Sequence, residues 1–188
     1  MFVFIDTETG GLSPDYSLLT VAAATTDQDY NVIDMLTFSL RPSGQYVVSP
    51  EALQVNKIDL AKHAEESIYA DSAGLKFEKL LAEALAITGK RRLIPAGHNV
   101  NFDLGFVYSQ LMPEDKFRQY CTYPALDTAS VARFFVASGV IEGPCNLVAL
   151  RKYFNIESGA AHNAENDVLA TIQLAKIFTG ILKGVPNV

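Results

Sequence analysis

The run Phe2-Val3-Phe4-Ile5 constrains the fold more than any other stretch. Side chains along a strand alternate between faces, so this run is apolar on both, as a central strand covered on each side must be. It leads straight into Asp6 and Glu8, which at i and i+2 point the same way. Like charges this close resist joint ionisation, and an unpaired carboxylate pair at a buried strand end is costly. A chain that keeps both acids there needs something positive between them.

The coarse pattern predicts the order of the other elements. The first strand is expected over Phe2–Asp6, with two more over Leu18–Thr25 and Val32–Leu40. The turn-rich stretch Asp27-Gln28-Asp29-Tyr30-Asn31 joins the last two as a hairpin. Pro50 opens a short helical stretch, and Leu75, Leu80, Leu81 and Leu85 give helical spacing over Ala73–Ile87. A short strand follows at Leu93–Ala96, then helices over Phe102–Leu111, from an N-cap at Asp127 to Phe135, over Leu147–Phe154, and from about Ala164 to Leu182. A hairpin set followed by alternating strands and helices predicts an α/β fold: a mixed central sheet, N-terminal antiparallel strands then parallel ones, flanked by helices.

Length and charge narrow the class. The 188 residues, 49% of them hydrophobic, predict one domain over 1–188 with a real core. No signal-peptide pattern opens the chain, no uncharged run approaches a membrane span, and Cys121 and Cys145 could pair only once. The expectation is a reduced, soluble, cytoplasmic protein with no membrane partner. The net charge of −6 departs from the basic character usual in nucleic-acid binders, but leaves room for an acidic enzyme that grips phosphates through metal ions. Lys90-Arg91-Arg92 reads as a solvated element end, roughly 20 Å from Asn99 across a short strand.

In open α/β sheets, sites gather beyond the carboxyl ends of parallel strands. Asp6 and Glu8 sit at that end of the first strand, and Asn99, Phe102 and Asp103 follow that end of the fourth. A third feature, AHNAEND, opens the final helix. There His162 and Asp167 lie five residues apart, about 140° in direction on one helix. They reach a common cluster if Asn163 is the N-cap and His162 precedes the helix. Each signal alone is weak: acids favour first helical turns in any case, Phe102 suits a core, and Asp27-x-Asp29 is a second acid pair that reads as plain turn chemistry. Together, four carboxylates converging on one pocket call for two Mg²⁺ or Mn²⁺ ions, which can clamp the attacking and leaving oxygens of a phosphodiester. A neutral histidine beside them can take a proton from water.

Asp6-x-Glu8, Asn99-x-x-Phe102-Asp103 and His162-x-x-x-x-Asp167 resemble, in order, the three motifs of the DEDDh group of DnaQ-like 3′–5′ exonucleases. The resemblance runs from Phe2 to the last helix. It implies a ribonuclease H-like fold, Asp6, Glu8, Asp103 and Asp167 as metal ligands direct or through water, and His162 as general base. It further implies that the segment Thr7 to Leu12, Thr9 included, lies against the terminal nucleotide, with Leu12 wedged beside the last base and Asn99 and Phe102 lining the cleft. The implied reaction is hydrolysis at the 3′ end of single-stranded DNA, of the proofreading type, with release of nucleoside monophosphates; the implied partner is a single-stranded nucleic acid 3′ end. No polymerase domain fits in this length, so a polymerase or replication partner would be supplied in trans. Ser49-Pro50-Glu51-Ala52-Leu53 also resembles the family's segment after the third strand, but Asn56-Lys57 stands where the family often has His-Gly.

Three other readings stand beside proofreading of DNA. The same chemistry serves RNA trimming and oligoribonucleotide degradation, and the motifs leave DNA and RNA both open because they act at the phosphate. A non-catalytic binding module would be expected to lack one of the five motif residues, and all are present. A ribonuclease H-like endonuclease would not place a histidine five residues before the last aspartate.

Overall fold

The computed structural model describes residues 1–157, 159 and 163–184. His162 therefore lies outside the described residues. Strand β1 (Phe2–Thr9) sits inside a six-stranded sheet of order β4-β3-β2-β1-β5-β6. It pairs antiparallel with β2 (Leu18–Thr26), which pairs antiparallel with β3 (Val32–Arg41). On its other side it pairs parallel with β5 (Ile94–Gly97), Phe4 opposite Ala96. Parallel edge pairs complete the sheet: β4 (Ile68–Tyr69) on β3 and β6 (Leu126–Asp127) on β5. The expected mixed α/β sheet is the one observed.

The alternation in β1 decides which layer each residue meets. Val3 and Ile5 pack with Phe77 and Leu81 of α3 (Ala70–Thr88) and with Leu104 and Phe106 of α4 (Val100–Gln110). Phe4 faces the opposite way, with Ala22, Ala24 and Ala96, onto Ala164, Val168 and Ile172 of α8 (Ala164–Leu182). The alanines on that face leave α8 room to lie close to the sheet. A third cluster joins α8 to α6 (Thr128–Ala137) and α7 (Leu147–Tyr153) through Phe135, Leu150 and Phe178.

Differences from the expected elements have local causes. β1 runs on to Thr9, so Glu8 as well as Asp6 lies within the strand; strand pairing with β2 carries it there. The short helices α2 (Leu60–Glu66) and α5 (Glu114–Tyr120), flanking the Pro50–Asn56 helix α1 and α4, were not expected. Their seven residues each carry too few apolar positions to set a period, and α2 rests on its Asp59 cap. β4 and β6, two residues each, are below any readable pattern. Asp27 accepts from Asp29 N–H, Asn31 N–H and the Asn31 amide, which is the turn chemistry expected. Lys90, Arg91 and Arg92 are exposed just before β5. Among the described residues no helix is long and apolar enough to cross a membrane.

Candidate metal centre

A bulge shapes the end of β1. Glu8 lies opposite Thr20 but Thr9 opposite Leu18, which leaves Leu19 as the extra residue. Its carbonyl accepts from His63 Nε2 at 2.8 Å, and the other ring nitrogen meets the Tyr46 hydroxyl at 2.9 Å. The chain then turns through Gly10, whose N–H donates to Ser17 O and whose carbonyl accepts from Ser49 N–H. A Cβ on Gly10 would stand 2.4 Å from Val47 O, so only glycine lets this loop close on the 47–49 segment. Asn56 adds a third tie, donating to Thr9 O at 3.2 Å. From this clamped loop Leu12 projects with 89% of its surface exposed.

The acids arrive from three elements. Asp6 and Glu8 share the face of β1 that carries Phe4, so they look toward α8. Asn163 caps α8 by accepting from Asn166 N–H, as expected, and Asp167 in the first turn points back at them. Asp6, Glu8 and Asp167 each offer an oxygen within 4.8 Å of the others. Asp103 comes from α4 on the other layer and stands outside that trio. Thr7, which faces α4, donates its hydroxyl to Asp103 Oδ1 at 2.7 Å.

The electrostatics follow from this crowding. Burial, and then the charges of Asp103, Asp167 and Glu8, hold the Asp6 carboxyl well above the ordinary carboxylate range. Burial followed by Asp167 and Asp103 lifts Glu8 to about 7. Burial also lifts Asp103 to about 7, against the pull of the hydrogen bonds from Thr7. Asp6 and Glu8 keep partial access to solvent while Asp103 and Asp167 are buried, so the cluster opens on one side. Three hard oxygen donors at this spacing match the 2.0–2.6 Å shells of Mg²⁺ or Ca²⁺-like cations, and the raised proton affinities mark where positive charge is missing. The donor set fits divalent metal.

Beside the cluster lies a cavity of about 570 Å³, lined by Thr7, Glu8, Thr9, Leu12, Phe102 and Asn56 among others. Four of the five residues read as substrate contacts, namely Thr7, Thr9, Leu12 and Phe102, share this one space. Asn99 does not. It holds a left-handed backbone at φ 68° ahead of α4, and its N–H donates to Asp127 Oδ1 at 2.6 Å. Its side chain borders a separate space of about 410 Å³ with His98, Arg133 and Asn146.

Arg151 is the site residue that sequence reasoning missed. From the last turn of α7 its Nη1 donates to Asp167 Oδ1 at 3.0 Å and its Nη2 to Gly159 O at 2.6 Å. In the sequence it is one basic residue near a helix end, the placement the helix dipole favours anyway. Nothing there announces a partner on another helix.

With this geometry in place, known proteins are informative. The RNase T exonuclease family model matches residues 3–175. Ribonuclease T of Buchnera aphidicola is 26% identical over 181 residues, covering 92% of this chain and 79% of that protein. The crystal structure of E. coli Exonuclease I with a dA16 oligonucleotide matches at TM-score 0.77 and 26% identity, over 93% of this chain and 40% of that one. A zinc-bound E. coli Exonuclease I–single-stranded DNA complex matches at TM-score 0.76 and 25% identity, over 97% and 41%. This chain thus spans about 40% of the length of those Exonuclease I chains, and the fold it shares with them is the ribonuclease H-like exonuclease fold.

Proposed function

Because this chain belongs to the RNase T exonuclease family, within the DnaQ-like DEDDh group, we propose that it is a metal-dependent 3′–5′ exonuclease. It removes nucleoside monophosphates from the 3′ end of single-stranded DNA. The observation that carries the reading is the juxtaposition of the Asp6–Glu8–Asp167 trio with the cavity holding Thr7, Thr9, Leu12 and Phe102. A cavity of about 570 Å³ falls in the size range of small-ligand sites and suits one terminal nucleotide.

Asp6, Glu8 and Asp167, with Asp103 from the opposite layer, are the residues that would hold two Mg²⁺ or Mn²⁺ ions. When bound, the ions supply the charge that offsets the carboxylates and steadies a phosphate undergoing displacement. Thr7 orients Asp103 through its hydroxyl. The clamped Gly10 loop presents Leu12 as a rigid apolar blade, suited to stacking against or splitting off the last base. Phe102 lines the same cavity. His162, in its neutral form, takes the proton from the attacking water.

Cleavage of RNA is the second reading, favoured by the ribonuclease T relative; the oligonucleotide-bound Exonuclease I structure favours DNA. One time course separates them. End-labelled single-stranded DNA, mismatched duplex and RNA of one sequence are digested with Mg²⁺ or Mn²⁺. A ladder of single-nucleotide steps from the 3′ end of DNA supports the proposal. Internal cuts, 5′ polarity or cleavage of RNA alone would overturn it.

A further inference from the structure

The reaction above makes no use of Arg151, yet its guanidinium holds one of the metal-binding carboxylates. Asp167 offers an oxygen to the trio and also accepts from Arg151 Nη1 at 3.0 Å. Both side chains are 11% exposed, so water screens the pair little. A guanidinium does not give up its proton in a protein. Its charge is therefore permanent, and it lies beside the position where divalent charge must enter. Without metal it relieves the crowding of the carboxylates. With metal present it repels the ion and competes for Asp167.

The other arm of the fork has its own anchor. Nη2 donates to Gly159 O at 2.6 Å. Gly159 sits at φ +64°, and a Cβ there would come within 2.6 Å of the Asn166 side chain. That carbonyl is thus held against the first turn of α8, next to Asp167 itself. Arg151 can release the carboxylate while keeping the carbonyl.

We propose that Arg151 is a built-in counter-cation that occupies Asp167 in the metal-free protein and yields it on metal loading, so that Arg151 sets the metal affinity of the site. This rests on the metal-dependent reading above. The test needs no substrate. Mn²⁺ alone is titrated into the whole chain, wild type and Arg151→Gln, with free Mn²⁺ followed by EPR and melting temperature recorded with and without metal. Removing a unit charge a few ångströms from a divalent ion predicts Mn²⁺ binding tighter by ~tenfold or more in Arg151→Gln. The metal-free variant should melt below metal-free wild type, and its rise on adding Mn²⁺ should be larger. Arg151→Lys, which keeps the charge but not the fork, guards against a folding failure and should bind Mn²⁺ between the other two, or more tightly than wild type if Arg151→Gln does not fold. Equal or weaker Mn²⁺ binding by both variants would overturn the proposal and leave Arg151 as an orienting group for Asp167. A wild type that binds no Mn²⁺ would overturn the metal reading itself, and this proposal with it.

Discussion

The metal-free protein should lose stability as pH rises, against the usual behaviour of carboxylate-rich proteins. Glu8 goes from an ordinary 4.5 in the unfolded chain to about 7 in the folded one. Between those values the folded state keeps a proton that the unfolded state has released, so stability falls with increasing pH through that window. At about 1.4 kcal/mol per tenfold in proton affinity, Glu8 alone accounts for about 3 kcal/mol. Asp103, raised to about 7 by its own burial, and Asp6, held well above the ordinary carboxylate range, act in the same direction. His98 works the other way. Burial lowers its pKa, so its share of stability grows as pH rises through the ordinary histidine range. The net loss expected from pH 5 to pH 8 is at least on the order of 3 kcal/mol, or at least roughly 6 °C in melting temperature for a chain of this size. Urea unfolding in chelator at both pH values measures it. Glu8→Gln should remove its own share of the slope and leave those of Asp6, Asp103 and His98, and Mg²⁺ at pH 8 should restore the lost stability by mass action. Metal-free wild type at least as stable at pH 8 as at pH 5, or an unchanged slope in Glu8→Gln, would refute the account.

Other perturbations separate the roles of neighbouring residues. Asp6→Asn should abolish turnover while leaving the metal-free melting temperature at pH 8 unchanged or higher, because one source of repulsion is gone; a clear drop in melting temperature would assign Asp6 a structural role. His162→Ala should slow single-turnover cleavage at saturating metal and substrate by ~10²–10⁴ with Mn²⁺ binding intact, and a rate within about threefold of wild type would exclude it as the base. Leu12→Ala should leave stability within about 0.5 kcal/mol, as for an exposed side chain, yet raise KM for single strands. An unchanged KM would show that the blade does not touch substrate.

The sequence made the frame of the site readable because strong local signals carried it. β1 needed only its two-sided apolar run, and the start of α8 needed only Asn163 as a cap before Asp167. Asp127 was likewise legible as an N-cap, since its carboxylate accepts from Ala129 and Ser130 N–H. What stayed hidden was second use. Asp127 also receives the Asn99 N–H, 28 residues away, and this fixes Asn99 through its backbone in a left-handed turn rather than through its side chain. Sequence spacing counts side chains and periods; it does not register a main-chain donor left over at a strand end. The Leu19 bulge is equally silent, because it is visible only once β1 and β2 are in register.

The four acids also illustrate why a motif does not describe the state of its residues. In the strand frame Asp6 and Glu8 are equivalent, and the helix frame treats Asp103 and Asp167 as similar first-turn acids. The structure makes each pair unequal. Asp103 is steadied by the Thr7 hydroxyl from the reverse face of the very strand that carries Asp6 and Glu8. Asp167 is steadied by Arg151. Among the described residues Asp6 and Glu8 have neither a hydroxyl nor a guanidinium to match, and burial with their neighbours' charge drives them, as burial drives Asp103, to hold protons. Metal would therefore meet two different costs at one site: deprotonation at Asp6, Glu8 and Asp103, where the Thr7 hydrogen bond offsets only part of the cost of burial, and separation of an ion pair at Asp167. Binding would then release protons from Asp6, Glu8 and Asp103, while at Asp167 one cation would replace another. Charge crowding alone, spread evenly over four acids, would predict no such asymmetry.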